Sequence, residues 1–415
     1  MSLVVRLAAI VLTVALQAAA ARAQTADELL RRHAYGGTLV RGEAELASLA
    51  GQGSDVRFAL GAAQFTRAVE RLGQALYRHG LEAPRTTLIP ILRMPVPTNP
   101  KPQPLSYHGF RSILAQFAED LRRADATLAQ IGPEEVRLTI DMARVRLDFD
   151  GDGSGGEHES LLAVLAGIDP RVGQNRSRQP EIQQPGFPVA FDRGDAAWMR
   201  GYANLLAAIA EFWLAHDFEP MFEQSFHLFF PHAGLPYAAL LNETRGSAGQ
   251  TLFTEADMIA DAIAFVHLLN WPVREPARLA AALSHLRAVP ALSRESWRHI
   301  LAESDDDDEW IPNPRQTNRF PLPVDQERID AWLGAMAQFE EVLDGRKLIP
   351  HWRFTKGVNF RRALTDHKTF DLVLWVTGTG LAPFLEDGPV LTSSEWDEIT
   401  ALLEGNFFGY AVWFN

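Results

Sequence analysis

The stretch Ala196–His216, AAWMRGYANLLAAIAEFWLAH, decides the class of this chain. Only Arg200, Asn204 and Glu211 break its apolar body, and no proline interrupts it. A run this long without turn residues exceeds any ordinary strand and reads as a buried helix. Asn204 and Glu211 lie seven residues apart, so they share one face of that helix. A second, phenylalanine-rich helix is expected from Pro220 to Phe230, carrying His227, with His232 just beyond and a joint near His216-Asp217-Phe218. Outward from this pair, helical periodicity recurs. Phe58, Ala62, Phe65, Val69, Leu72 and Leu76 form a stripe on a helix that Asp55 opens and Gly80 stops. Phe110, Ile113, Leu114, Phe117 and Leu121 form another over 108–130. Further helices are expected at 25–33, from Thr254 to about Asn270, at 277–288, and at 293–303 after a Ser293 cap. Asp325 caps one that reaches Leu343 and stops at Gly345, and Thr392 or Ser393 caps a last one to Leu403. The segment 370–376, FDLVLWV, reads as a buried strand, and the aromatic end FFGYAVWFN is expected to dock on the body. The fold expected is mainly α: a multi-helix globular body with a few short strands.

One stretch states a chemistry. Asp148 to Glu159, DFDGDGSGGEHE, sets carboxylates at Asp148, Asp150, Asp152 and Glu159 around four glycines. A hard cation such as Ca²⁺ takes about 6–8 oxygen ligands, and a short chain supplies them only by wrapping tightly and pointing alternate side chains inward. The three aspartates alternate, and Gly153 permits a positive φ. This resembles the EF-hand loop D-x-D-x-D-G-x5-E, matched at the first, third, fifth, sixth and twelfth positions. The resemblance implies Ca²⁺ held by Asp148, Asp150, Asp152, the Ser154 carbonyl and Glu159, with a water at Gly156. It covers these twelve residues only. The eighth position, which in that family pairs with a second hand, is Gly155, and no second D-x-D-x-D-G occurs in the chain. A solitary structural loop is therefore expected. Upstream, Val136, Leu138 and Ile140 alternate with polar residues, which favours a short strand at 136–140 and a helical turn after it. Leu161, Leu162, Leu165 and Ile168 read as helix on the way out.

Other candidate groups are less specific. His216, Asp217, His227, His232, Asp257, Asp261 and His267 have metal-ligand chemistry, but from sequence their convergence is unknown. The run Asp305–Glu309 lacks a turn glycine and reads as a solvated acidic turn. Thr377 to Phe384, TGTGLAPF, resembles the nicotinamide-domain turn of ferredoxin reductases, yet only 31 residues follow Phe384, too few for the α/β units of such a domain. There is no G-x-S-x-G, H-E-x-x-H or P-loop.

The opening MSLVVRLAAIVLTVALQAAAARAQ has a basic Arg6, a short apolar core and a small-x-small site at Ala21-Arg22-Ala23, the pattern of a secretory signal peptide over 1–23. The remaining chain, with 37 basic and 52 acidic residues after Arg6 and Arg22 are removed, carries a net charge of −15. That balance disfavours nucleic acid and anionic membranes as partners. No cysteine is present, so no disulfide forms. The expected organisation is a helical region over 24–168 ending in the loop and its exit helix, a proline-punctuated linker at 169–188, and a helical domain with short strands over 189–415. The expected function is an exported, periplasmic or secreted calcium-binding protein, a binding or scaffolding component for a protein or small-molecule partner. The rival is a metal-assisted hydrolase built on the His/Asp group.

Overall fold

The computed structural model describes residues 26–82, 92, 94–156, 159–168, 186–239, 263–317, 323–403, 410–411 and 414. Asp192 opens the central helix α6 (Arg193–Ala215) with a capping box: its side chain accepts from the Gly194 N–H at 2.6 Å, and Asp195 returns a bond to the Asp192 N–H at 2.9 Å. Such reciprocal caps satisfy N–H groups that have no partner within the helix. Around α6 lie α1 (26–35), α2 (Leu39–Leu49), α3 (Ser54–Arg78), α4 (Tyr107–Leu128), α5 (Leu161–Ile168), α7 (Glu219–Ser225), α8 (Pro276–Ile300) and α9 (Gln326–Asp344). The chain is mainly α, as its periodicity predicts. The few strands form two-stranded antiparallel pairs, among them β1 (Leu138–Asp141) with β2 (Pro188–Phe191), in the register Leu138↔Phe191 and Ile140↔Val189. No described helix is long and apolar enough to cross a membrane.

One core joins α1–α3, β1, β2, the start of α6, the end of α8 and α9. Tyr410 and Phe414 are buried in it, with the Phe414 ring 4.7 Å from Trp297 and 6.0 Å from Trp332. A second core lies between the C-terminal half of α3, α4, the end of α6 and α7, where Phe110 meets Phe218, Phe222 and Phe226 at 6.2, 6.0 and 4.9 Å. Most of the 169–188 linker, the N-terminal segment 1–25 and the start of the helix expected from Thr254 lie outside the described residues.

Two expectations are corrected. The segments 277–288 and 293–303 form one helix, α8, with Pro290 inside it. Pro290 removes one helix hydrogen bond, but Val289, Pro290 and Leu292 are buried, and α8 packs along α6 through most of its length. That burial outweighs the lost bond. In FDLVLWV only the start is extended. The strand β5 (Thr369–Asp371) follows α10 (Phe360–Asp366) and pairs with β3 (Asn270–Pro272). Then Asp371 caps α11 (Leu372–Thr377) by accepting from the Leu374 N–H at 2.8 Å, and Gly378 ends it at φ 96°. An apolar run of this length has no period of its own, so the cap and the left-handed glycine decide its form.

Candidate metal site

The aspartate loop is approached in extended form and left as helix. After β1, Asp141 Oδ1 accepts from the N–H groups of Ala143 (3.0 Å) and Phe187 (2.8 Å), which turns the chain. Arg146 then pairs with Ser160 in an isolated antiparallel bridge, the Leu147 N–H donates to the Glu159 carbonyl at 2.7 Å, and that of Leu161 to the Val145 carbonyl at 3.1 Å. The loop is thus pinched shut at its base before α5 begins. Its body is seated on α3. Phe149 is fully buried, and a Cβ on Gly73 would stand 2.2 Å from its ring, so only glycine lets that ring lie against the helix. Gln74 Nε2 donates to the Asp148 carbonyl at 2.6 Å. On the other side Gly37, at φ 63°, meets Gly155: a Cβ on Gly155 would lie 2.3 Å from Arg146 Cβ and 3.1 Å from Gly37 Cα. Gly155 is required here by its contact with Arg146 and with the turn at Gly37 between α1 and α2.

The loop brings Asp148, Asp150 and Asp152 together. One carboxylate oxygen from each lies within 4.8 Å of the others. Asp148 is buried and the other two are exposed. Among the described residues, no Lys or Arg forms an ion pair with any of the three. Asp148 Oδ2 accepts from the Gly153 N–H at 3.2 Å, while Oδ1 is buried without a hydrogen-bond partner. Burial, with the negative charges of Asp150 and Asp152, pushes the Asp148 carboxyl above its ordinary value. Asp150 Oδ1 accepts from the Asp152 N–H at 3.0 Å. Ser154 donates both its N–H and its hydroxyl to Asp152 Oδ1, each at 2.8 Å. Glu159 is placed differently from the aspartates. Its Oε1 accepts from the N–H groups of Phe149 (2.7 Å) and Asp150 (3.0 Å), and its Oε2 from that of Gly156 (2.7 Å), so it ties the loop's two ends together.

Behind the loop stands Glu70, which sequence reading treats only as part of a helix. It is fully buried, bonded to Arg67 at 2.9 Å through Oε1, with Oε2 unpartnered. Burial pushes it up to about 7 against the pull of Arg67, and Asp148 adds to the push. Three crowded aspartates with a naked buried oxygen, none of them in an ion pair among the described residues, fit a hard divalent cation.

The other acidic and histidine candidates are distributed. In the 305–309 run, Asp305 and Asp307 pair with Arg137 at 3.4 and 2.8 Å, and Asp306 holds Thr317, so these side chains brace the surface. His216 is fully buried and bonds through Nε2 to Nε2 of His367 at 2.7 Å, a partner 151 residues away. Asp217 pairs with Arg274 at 3.2 Å, and burial opposed by its hydrogen bonds and this arginine leaves its carboxyl below the ordinary value. His227 is buried, His232 lies 3.8 Å from Glu82, and His267 is exposed. Asp257 and Asp261 lie outside the described residues. Among the described residues, the three loop aspartates are the one group of His, Asp or Glu spaced to hold a metal ion. Comparison of the chain with protein-family models, curated proteins and solved structures gives no match.

Proposed function

We propose that this chain is an exported calcium-binding protein in which Asp148, Asp150 and Asp152 hold one Ca²⁺ that clips the 148–159 loop to α3, within a binding or scaffolding component. The supporting observation is Asp148 Oδ1, buried and unbonded inside a group of three carboxylates. Leaving such an oxygen without a partner costs about 1–3 kcal/mol or more for a charged group, and an ion removes that cost. Calcium is favoured over Mg²⁺ because the loop glycines Gly151 and Gly153 (φ 76° and 96°) make a pliable cage, whereas Mg²⁺ demands near-octahedral order. Export rests on the residue pattern of 1–23.

A pliable loop of this kind fits an affinity of about 0.1 mM, typical of extracellular sites. At ~1 mM free ion, binding then stabilises the fold by about 1.4 kcal/mol, a rise of about 2 °C in Tm for a chain of this size. Differential scanning calorimetry of the mature protein in EGTA and in 1 mM CaCl₂ measures this, with Asp148→Ala expected to abolish the shift. Identical melting curves in the two buffers, together with no heat on calcium titration, would refute the reading.

A further inference from the structure

Asp148 and Asp150 of the aspartate group line a cleft of about 480 Å³ together with Arg78, Asn99, Lys101 and Gln103. We propose that this cleft binds a small organic carboxylate, which bridges the loop-bound Ca²⁺ and the cationic side chains of Arg78 and Lys101. The inference rests on the calcium reading above and adds a ligand to it.

Three observations converge. The first is a coordination deficit. Ca²⁺ takes about 6–8 oxygens, and the group spaced to hold it comprises three aspartates, while Glu159, the residue expected to close the shell with both oxygens, lies outside that group and accepts from three backbone N–H groups. Asp152 keeps Oδ2 for the ion, since its Oδ1 accepts from the Ser154 N–H and hydroxyl. The oxygens left to the ion come chiefly from three aspartates, so further positions remain for an outside donor. The second is the cationic part of the lining. In a chain with 52 acidic and 39 basic residues, Arg78 and Lys101 are exposed and form no ion pair among the described residues. They share a cleft with Asp148 and Asp150 without bridging to them. An anion seated between metal and cations satisfies both sides; water on the metal satisfies only one. The third is that this part of the lining is built. Asn99 Nδ2 donates to the carbonyls of Tyr77 (2.8 Å) and Arg78 (3.2 Å), its Oδ1 accepts from the Lys101 N–H at 2.8 Å, and the Gln103 N–H donates to the Arg78 carbonyl at 2.9 Å. These bonds hold residues 99–103 against the end of α3, beside Arg78. Burial, and then the negative charges of Asp150, Glu159 and Asp152, raise the Tyr77 hydroxyl above its ordinary value. A volume of this size suits a molecule of the dimensions of a sugar acid.

The test is calorimetric, on the full mature protein. Calcium is titrated first; glycolate, succinate and D-galacturonate are then titrated into calcium-loaded and EGTA-treated samples, with neutral D-galactose as control. At least one carboxylate is expected to bind the loaded protein only, D-galactose is expected to give no heat, and the variant Arg78→Gln/Lys101→Gln should lose at least tenfold in carboxylate affinity while binding calcium at least as tightly as the parent. Calcium binding with no heat from any carboxylate would overturn this proposal and leave the calcium reading standing. Absence of calcium binding would overturn both. Carboxylate binding that is unchanged in EGTA, or unchanged in the double variant, would also overturn it.

Discussion

The buried pair His216–His367 gives the sharpest test of how burial and hydrogen bonding compete in this fold. His216 caps the C-terminus of α6 and His367 that of α10. Their Nε2 atoms lie 2.7 Å apart, and each Nδ1 faces a backbone carbonyl, Phe212 at 2.6 Å and Ala363 at 2.8 Å. Phe212, Trp271, Phe370 and Trp375 enclose the rings. The charged groups nearby are Arg111, which donates to the His216 carbonyl at 2.7 Å, and Asp366 and Lys368, which flank His367. A neutral pair has two ring protons for three contacts, so adding a proton completes the hydrogen bonding, while burial opposes the charge. Burial prevails: it lowers His216 to about 4, with the neighbouring His367 adding to the drop, and lowers His367 as well. The unfolded chain, with an ordinary imidazole value near 6.5, then takes up protons first as pH falls. The contribution to stability is full above about pH 6.5 and is lost on acidification toward pH 4; for His216 alone it amounts to about 3 kcal/mol. Urea unfolding of the parent and of His216→Gln/His367→Gln at several pH values between 4.5 and 8 measures it. The stability difference between the two proteins should shrink as pH falls. A difference that grows on acidification would mean the pair captures the extra proton, and the burial argument would be wrong.

Three further outcomes follow from the packing and the charges. Gly73→Ala drives a methyl into the Phe149 ring, which is held by the loop on one side and α3 on the other; a loss of about 1–3 kcal/mol is expected, together with weaker calcium binding by titration calorimetry, because the aspartates move with Phe149. Asp148→Asn removes a charge that faces Asp150, Asp152 and Glu70, so in EGTA its Tm should equal or exceed that of the parent while its response to calcium disappears. Glu303 is pushed up to about 10 by burial and by Asp192, which bonds to it and repels its ionised form. Its contribution to stability is full below the ordinary value of 4.5 and is lost as pH rises toward 10, so Glu303→Gln, which cannot ionise, should flatten the parent's decline between pH 5 and 9 in urea unfolding.

Local chemistry was legible in the sequence and long-range contact was not. The Asp325 cap, whose carboxylate accepts from the Arg328 N–H at 2.9 Å, and the Gly345 stop at φ 74° are decided within one helical turn, so residue identity suffices to read them. The three aspartates fall within five residues, so their convergence needs only one tight loop. His367 is different: nothing near it in the chain marks it, and its partner arrives from another helix. Glu159 shows a subtler limit. Its position in the twelve-residue pattern assigns it to the ion, and the pattern says nothing of the three backbone N–H groups of the same short span that donate to its oxygens.

Gly155 carries the consequence furthest. In a paired EF-hand the eighth residue offers an aliphatic side chain to a second loop; a lone loop must find its support elsewhere. Here the side chain is absent so that the backbone can close on Gly37, with the Gly155 N–H reaching the Gly36 carbonyl at 3.4 Å and the Arg146 N–H reaching that of Ala34 at 2.8 Å. The turn between the N-terminal helices holds one side of the loop, and α3, through Gly73 and Gln74, holds the other. A loop gripped on two sides by its own fold has little room to swing a helix on binding an ion. On the proposed reading, an ion held there stiffens the molecule, or faces the cleft beside Arg78 and Lys101, without the opening motion that a calcium sensor requires.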